Sequence, residues 1–140
     1  MRALPKVLFV CVENSNRSQM AEAFARLHGA GLVEAFSAGS RPSGVINPRA
    51  IAAMRERDYD LSSHRSTGLE AIPSGPYAAV VTMGCGDACP WVPATLREDW
   101  ALLDPRDLPP AEFNAVRDEI ERRVVALLAA LEAEHGVSAS

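Results

Sequence analysis

Two short runs of almost purely apolar residues constrain the fold of this chain more than any other feature. They are Val7-Leu8-Phe9-Val10-Cys11-Val12 and Tyr77-Ala78-Ala79-Val80-Val81-Thr82-Met83. A strand with one wet face alternates apolar and polar side chains; a run apolar on both faces is a parallel strand inside a sheet covered on both sides. Residues 18–27 then place Met20, Ala23, Phe24 and Leu27 at helical spacing before Gly29 and Gly31. Residues 32–38 read as a second strand ending at Gly39. Asn47-Pro48 marks a helix start with Ile51, Met54 and Tyr59 inward. A short helix is expected within 62–72, and residues 100–103 read as an edge strand. Residues 110–134, after Pro109-Pro110, carry Phe113, Val116, Ile120, Val124, Leu127, Leu128 and Leu131 at helical spacing. This alternation predicts an α/β fold: three layers, a parallel sheet of about four strands, and helices on both faces. There is no repeat and no linker, so residues 1–140 are expected to form one domain.

Fourteen Lys and Arg against eighteen Asp and Glu leave a net charge of −4. That balance offers no general attraction to nucleic acid or to an anionic membrane, so any anion must be captured locally. No segment approaches the roughly 20 apolar residues of a membrane helix. The first apolar run is too short for a signal peptide and leads straight into Glu13 and Asn14, so a cytoplasmic protein is expected. The three cysteines, Cys11, Cys85 and Cys89, are an odd number, which fits a reducing compartment better than a disulfide scaffold.

In open parallel sheets ligands bind beyond the carboxyl ends of the strands. Three loops meet at that rim: residues 11–17, residues 84–90, and the loop carrying Asp104. The first, Cys11-Val12-Glu13-Asn14-Ser15-Asn16-Arg17-Ser18, joins a buried strand to a helix N-terminus. Its backbone amides and the helix dipole converge on one oxyanion, and Arg17 adds a bidentate fork. The same field favours a thiolate at Cys11. The glycines and the Gly-Lys-Ser/Thr ending of a Walker A loop are missing. Spacing alone fits equally a buried, inert cysteine and a solvated arginine; the position between strand and helix favours the anion loop.

The stretch from Val10 through Cys11, Asn14, Arg17, Ser18, Gln19 and Met20 to Ala23 resembles the signature of arsenate reductases built on the low-molecular-weight tyrosine phosphatase fold. Ser37-Ala38-Gly39, Asn47-Pro48, Val81-Thr82-Met83 and Asp104-Pro105 recur in matching order, so the resemblance covers nearly the whole chain. It implies that Cys11 is the nucleophile and that Arg17 binds the oxyanion with the amides of Val12, Glu13, Asn14, Ser15 and Asn16. It further implies that Ser18 activates the thiolate, that Asn14 braces the loop, and that Asp104 is the general acid. The implied substrate is arsenate, with phosphate or sulfate as analogues. Two departures stand out: the family commonly has glycine at Glu13 and often cysteine at Asn16. A carboxylate turned inward would repel an oxyanion, so Glu13 is expected to face solvent.

Reduction of arsenate takes two electrons, and the resemblance implies their source. Cys11 forms a thiol–arsenate adduct, Cys85 attacks the Cys11 sulfur and releases arsenite, and Cys89 then attacks the Cys11–Cys85 disulfide. The resulting Cys85–Cys89 disulfide is reduced by an external thiol protein, with thioredoxin the implied donor and glutaredoxin or a small thiol the alternatives. The spacing Cys85-Gly86-Asp87-Ala88-Cys89 is shorter than in thioredoxin-coupled relatives. No cofactor is implied, and a monomer is expected.

Other readings stay open at this level. Asp104-Pro105 is also ordinary turn chemistry, with Asp107 a rival acid. Cys85 and Cys89 could be incidental; the three thiols with His64 lack the paired short spacings of a zinc site. His28, His64 and His135 read as surface residues. Asn14, Glu22 and Ser37 match three positions of a potassium site in some relatives, but the fourth, acidic position has no match around Ser66-Thr67, so no metal is expected. Two further functions compete. One is a tyrosine phosphatase using Cys11, Arg17 and Asp104; the other is a non-catalytic thiol module binding arsenite or a soft metal.

Overall fold

In the computed structural model, which describes residues 4–84 and 92–135, the two apolar runs become neighbouring strands at the centre of a sheet. The four strands are β1 (Lys6–Cys11), β2 (Glu34–Gly39), β3 (Tyr77–Thr82) and β4 (Ala94–Asp99). All pairs are parallel, in the order β2-β1-β3-β4. Three α-helices are described: α1 (Arg17–His28), α2 (Pro48–Arg55) and α3 (Pro110–His135).

The two faces of the sheet are covered unequally. Val7 and Phe9 of β1 with Ala79 and Val81 of β3 join Met20 and Phe24 of α1, Met54 of α2, and Phe113, Ile120, Val124 and Leu131 of α3 in the main core. On the other face Leu8, Val10, Ala38, Tyr77 and Val80 pack against Leu69, Ile72 and Val92. All the side chains of β1 beyond Lys6 are therefore buried, which is what its composition demands. Full burial of one such Val, Leu or Phe side chain contributes about 1.5–3 kcal/mol.

The edge strand differs from its expected place. Residues 94–99 pair with β3, and residues 100–103 lie beyond the strand end. Trp100 is buried because its ring packs 5.9 Å from that of Phe9, so its hydrophobicity serves the core and not the ladder. Along β4 only Ala94 and Leu96 are partly buried against apolar neighbours before the charged Arg97-Glu98-Asp99, a composition that suits an exposed edge.

The expected helix within 62–72 is instead two single 3-10 turns, Leu61–Ser63 and Leu69–Ala71, separated by extended chain. The Asp60 carboxylate caps the first turn by accepting from Ser62 N–H at 3.0 Å. The chain between the turns cannot coil because its backbone groups are bonded elsewhere: Thr67 C=O accepts from Gly39 N–H, and Thr67 N–H donates to the Asn14 side chain. Leu27, expected inside, is 41% exposed, whereas Ala21 and Ala25 beside it are buried. No described helix is long and apolar enough to cross a membrane.

Strand order reverses between β1 and β3: the chain leaves β1 toward β2 on one side and returns to β3 on the other. The crevice at such a switch point, beyond the strand ends, is the expected ligand position. The loop leaving β1 there begins with Cys11.

Candidate active site

Cys11 ends β1 in register with Gly39 of β2. Gly39 is required at that position: a Cβ on it would lie 2.6 Å from Val12 O and 3.0 Å from Asn14 N, inside the loop's backbone. The loop of residues 12–16 folds over this bare spot and runs into α1. The helix begins without a side-chain cap at Asn16 and without an acidic residue in its first turn. Its first N–H groups are left for a ligand, in a field that favours an anion.

A pocket of about 230 Å³ opens at this helix end, lined by Cys11, Val12, Glu13, Ser15, Asn16, Arg17, Asp104 and Arg106. Of the residues expected around the oxyanion, Val12, Glu13, Ser15, Asn16, Arg17 and Asp104 line it with Cys11; Asn14 does not, because it is fully buried and its N–H is directed at the Cys11 sulfur. The Cys11 sulfur is buried, 2.8 Å from Ser18 Oγ, and accepts from Asn14 N–H at 3.3 Å. Ser18 Oγ in turn accepts from Asn14 Nδ2 at 2.8 Å, which leaves its own hydrogen free to donate toward the sulfur. Asn16 Oδ1 is buried without a hydrogen-bond partner.

Asn14 is fully buried at φ +52°, a left-handed conformation that Asn tolerates when its side chain is locally bonded. Its Oδ1 accepts from Gln19 Nε2 at 2.8 Å and from Thr67 N–H at 2.9 Å. Gln19 Nε2 also faces Asn14 O and Arg65 O, so its Oε1 points to His64 Nδ1 at 2.9 Å, and His64 must donate there. The Tyr59 hydroxyl then donates to His64 Nε2. Burial holds the His64 imidazole below its ordinary pKa, against the opposing pull of Glu22. The neutral tautomer required by these bonds follows. His64 is therefore not the surface residue its setting in the sequence suggests: its side chain is 7% exposed. Gln19, Thr67 and His64 form a supporting layer that sequence reasoning missed, because three of its bonds use backbone groups.

Three arginines hold the segment that carries Asp104. Arg17 donates through NH1 to Leu102 O at 2.8 Å, and Gly84, at φ +78°, leaves room for that guanidinium: a Cβ there would lie 3.0 Å from it. Arg49 of α2 donates to Arg106 O at 2.7 Å and to Leu108 O, and lies over the Phe113 ring. Arg106 pairs with Glu13 at 3.1 Å. Asp104 caps its own turn, accepting from Arg106 N–H at 3.1 Å, and also lines the pocket, so the turn reading and the site reading coincide. Asp107 does not line it. Glu13, expected to face solvent, has a side chain 45% exposed at the rim, where it also lines the pocket and is bonded to Arg106.

The residues of the potassium match do not fit a cation. Both Glu22 oxygens are engaged, Oε1 by the Ser37 hydroxyl at 2.6 Å and Oε2 by Arg26 at 2.8 Å, and Asn14 Oδ1 already accepts two hydrogen bonds. Among the described residues no group of three His, Cys, Asp or Glu is placed to hold a metal ion. Cys85 and Cys89 lie outside the described residues, and with them the geometry of any relay.

Comparisons with known proteins show which proteins the chain is similar to. The chain is 41% identical over 129 residues to a glutaredoxin arsenate reductase of Synechocystis sp., covering 90% of this chain and 98% of that protein. A solved arsenate reductase in the phosphate binding state superposes with a TM-score of 0.84 at 40% identity, covering 91% of this chain and 99% of that one. A thioredoxin-dependent arsenate reductase of Corynebacterium glutamicum gives a TM-score of 0.76 at 32% identity, covering 94% of this chain and 63% of that one. The family model for low molecular weight phosphotyrosine protein phosphatases matches residues 6–137, and the chain belongs to that family.

Proposed function

We propose that this protein reduces arsenate to arsenite, with Cys11 as nucleophile and Cys85 and Cys89 completing a disulfide relay. The observation that carries the reading is the buried Cys11 sulfur at an uncapped helix end, in a pocket of about 230 Å³. That volume is below the roughly 300–1,000 Å³ typical of organic-ligand sites, and suits a tetrahedral oxyanion. A similar arsenate reductase solved in its phosphate binding state supports an oxyanion ligand of this size. The names of the relatives supply the reaction class.

The Cys11 thiolate attacks arsenic while loop amides and Arg17 hold the oxygens. Ser18 and Asn14 N–H steady the sulfur. One As–O bond breaks and its oxygen leaves as water, taking a proton from Asp104. The Cys85 thiolate then attacks the Cys11 sulfur. The S–As electron pair passes to arsenic, arsenic(V) becomes arsenic(III), and arsenite departs. Cys89 attacks the Cys85 sulfur, Cys11 leaves as thiolate, and the Cys85–Cys89 disulfide is reduced by a partner dithiol. Thioredoxin is our assignment for that partner, supported by the Corynebacterium relative; the Synechocystis relative favours glutaredoxin as the second reading. A cytoplasmic monomer without nucleic-acid or membrane partners fits the net charge of −4 and the reduced thiols the relay needs.

The test is arsenate-dependent NADPH consumption coupled through thioredoxin and its reductase, with a parallel arm of glutaredoxin, glutathione and glutathione reductase. Wild type turns over, and Cys11→Ser, Cys85→Ser and Cys89→Ser do not. Full multiple turnover in Cys85→Ser and Cys89→Ser removes the relay. Hydrolysis of aryl phosphates without arsenate turnover transfers the site to the phosphatase reading.

A further inference from the structure

Glu13 and Arg106 reach the Cys11 pocket from different segments. Glu13 belongs to the loop after β1, Arg106 to the turn after Asp104, and both line the cavity. Their side chains are about half exposed, 45% and 52%, so they sit at its mouth, and they meet at 3.1 Å. Arg106 is anchored at both backbone groups, its N–H on Asp104 Oδ1 and its C=O on Arg49. The bridge therefore has a fixed footing.

We propose that the Glu13–Arg106 bridge is a specificity determinant, admitting a free tetrahedral oxyanion to Cys11 and hindering one that carries an organic ester group. The inference rests on the oxyanion reading of this pocket. A free oxyanion fits wholly beneath the bridge and needs nothing outside it. An aryl phosphomonoester places its ring at the mouth, where the paired side chains stand, and must part them to enter. Parting them leaves a carboxylate unpaired beside a bound anion, an electrostatic penalty a free oxyanion does not meet. The pair also resolves the presence of a carboxylate in an anion loop: Arg106 cancels its field.

The experiment compares binding of inorganic phosphate and phenyl phosphate to the full, reduced protein by titration calorimetry. In wild type, phosphate binds about tenfold more tightly than phenyl phosphate, a discrimination of the size that one built-in obstacle supplies. In Glu13→Ala/Arg106→Ala that ratio falls to within about twofold, because both halves of the obstacle are gone. In Arg106→Ala alone both ligands weaken, since Glu13 then faces the anion uncompensated. A ratio unchanged in the double variant overturns the inference: the pair would then only hold the Asp104 segment, and its loss would weaken both ligands alike. Wild type that binds neither ligand overturns the oxyanion reading and the inference with it.

Discussion

Replacing Asn14 by alanine tests whether the anion loop is held by one buried side chain. Asn14→Ala removes the acceptor of Thr67 N–H and one acceptor of Gln19 Nε2, and the donor to Ser18 Oγ. Leaving buried donors unpaired costs about 1–3 kcal/mol each. Alanine must also hold φ near +52°, which costs an L-residue without a bonding side chain roughly 1–2 kcal/mol. Allowing for the two acceptors Gln19 keeps, Asn14 O and Arg65 O, the expected loss is about 3–5 kcal/mol, against a total stability of about 5–15 for a domain. Asn14→Gly loses the same hydrogen bonds but not the backbone strain, so it is expected about 1 kcal/mol more stable than Asn14→Ala. Urea denaturation reads both: with a slope of about 2 kcal/mol per molar, the alanine midpoint falls by roughly 1.5–2.5 M and the glycine midpoint by about 0.5 M less. An alanine midpoint within about 0.5 M of wild type, at unchanged slope, refutes the reasoning. So does an alanine variant as stable as the glycine one.

Two further outcomes follow from the groups around the site. Arg49→Ala releases the carbonyls of Arg106 and Leu108, so the turn bearing Asp104 drifts while the Cys11 loop stays in place. The kcat for arsenate is expected to fall roughly tenfold with little change in the Kd of inorganic phosphate; an equal effect on both would make Arg49 a general structural residue. For His64, burial lowers the folded pKa below the ordinary value near 6.5, so the unfolded chain binds the extra proton first as pH falls. Its contribution to stability is full above that ordinary value and is lost as pH falls from there through the lowered value. The wild-type urea midpoint should therefore drop from pH 7.5 to pH 5 more steeply than that of His64→Gln, and equal slopes refute the assignment.

What could be read without coordinates, and what could not, separates by the kind of physics involved. β1 and β3 are legible because burial on both faces writes itself into composition, residue by residue. The edge strand β4 is not, because only one neighbour and part of one face act on Ala94–Asp99, while the more apolar residues 100–103 include a tryptophan recruited by Phe9 in the core. The loop from Cys11 to Ser18 is legible as a motif because its function depends on backbone amides and a helix end, which the chain supplies locally. Its supports are not: Gln19 reaches Arg65 O across 46 positions, and Asn14 reaches Thr67 N–H across 53. A backbone donor has no letter of its own. Glu13 is the sharpest case. Read in its own window, a carboxylate in an anion loop is a liability that ought to turn away; its actual environment includes Arg106, 93 positions later. The sign of the field at the pocket mouth is thus decided by a contact that no local pattern contains, and a substitution at Arg106 acts on the Cys11 loop as directly as one within it.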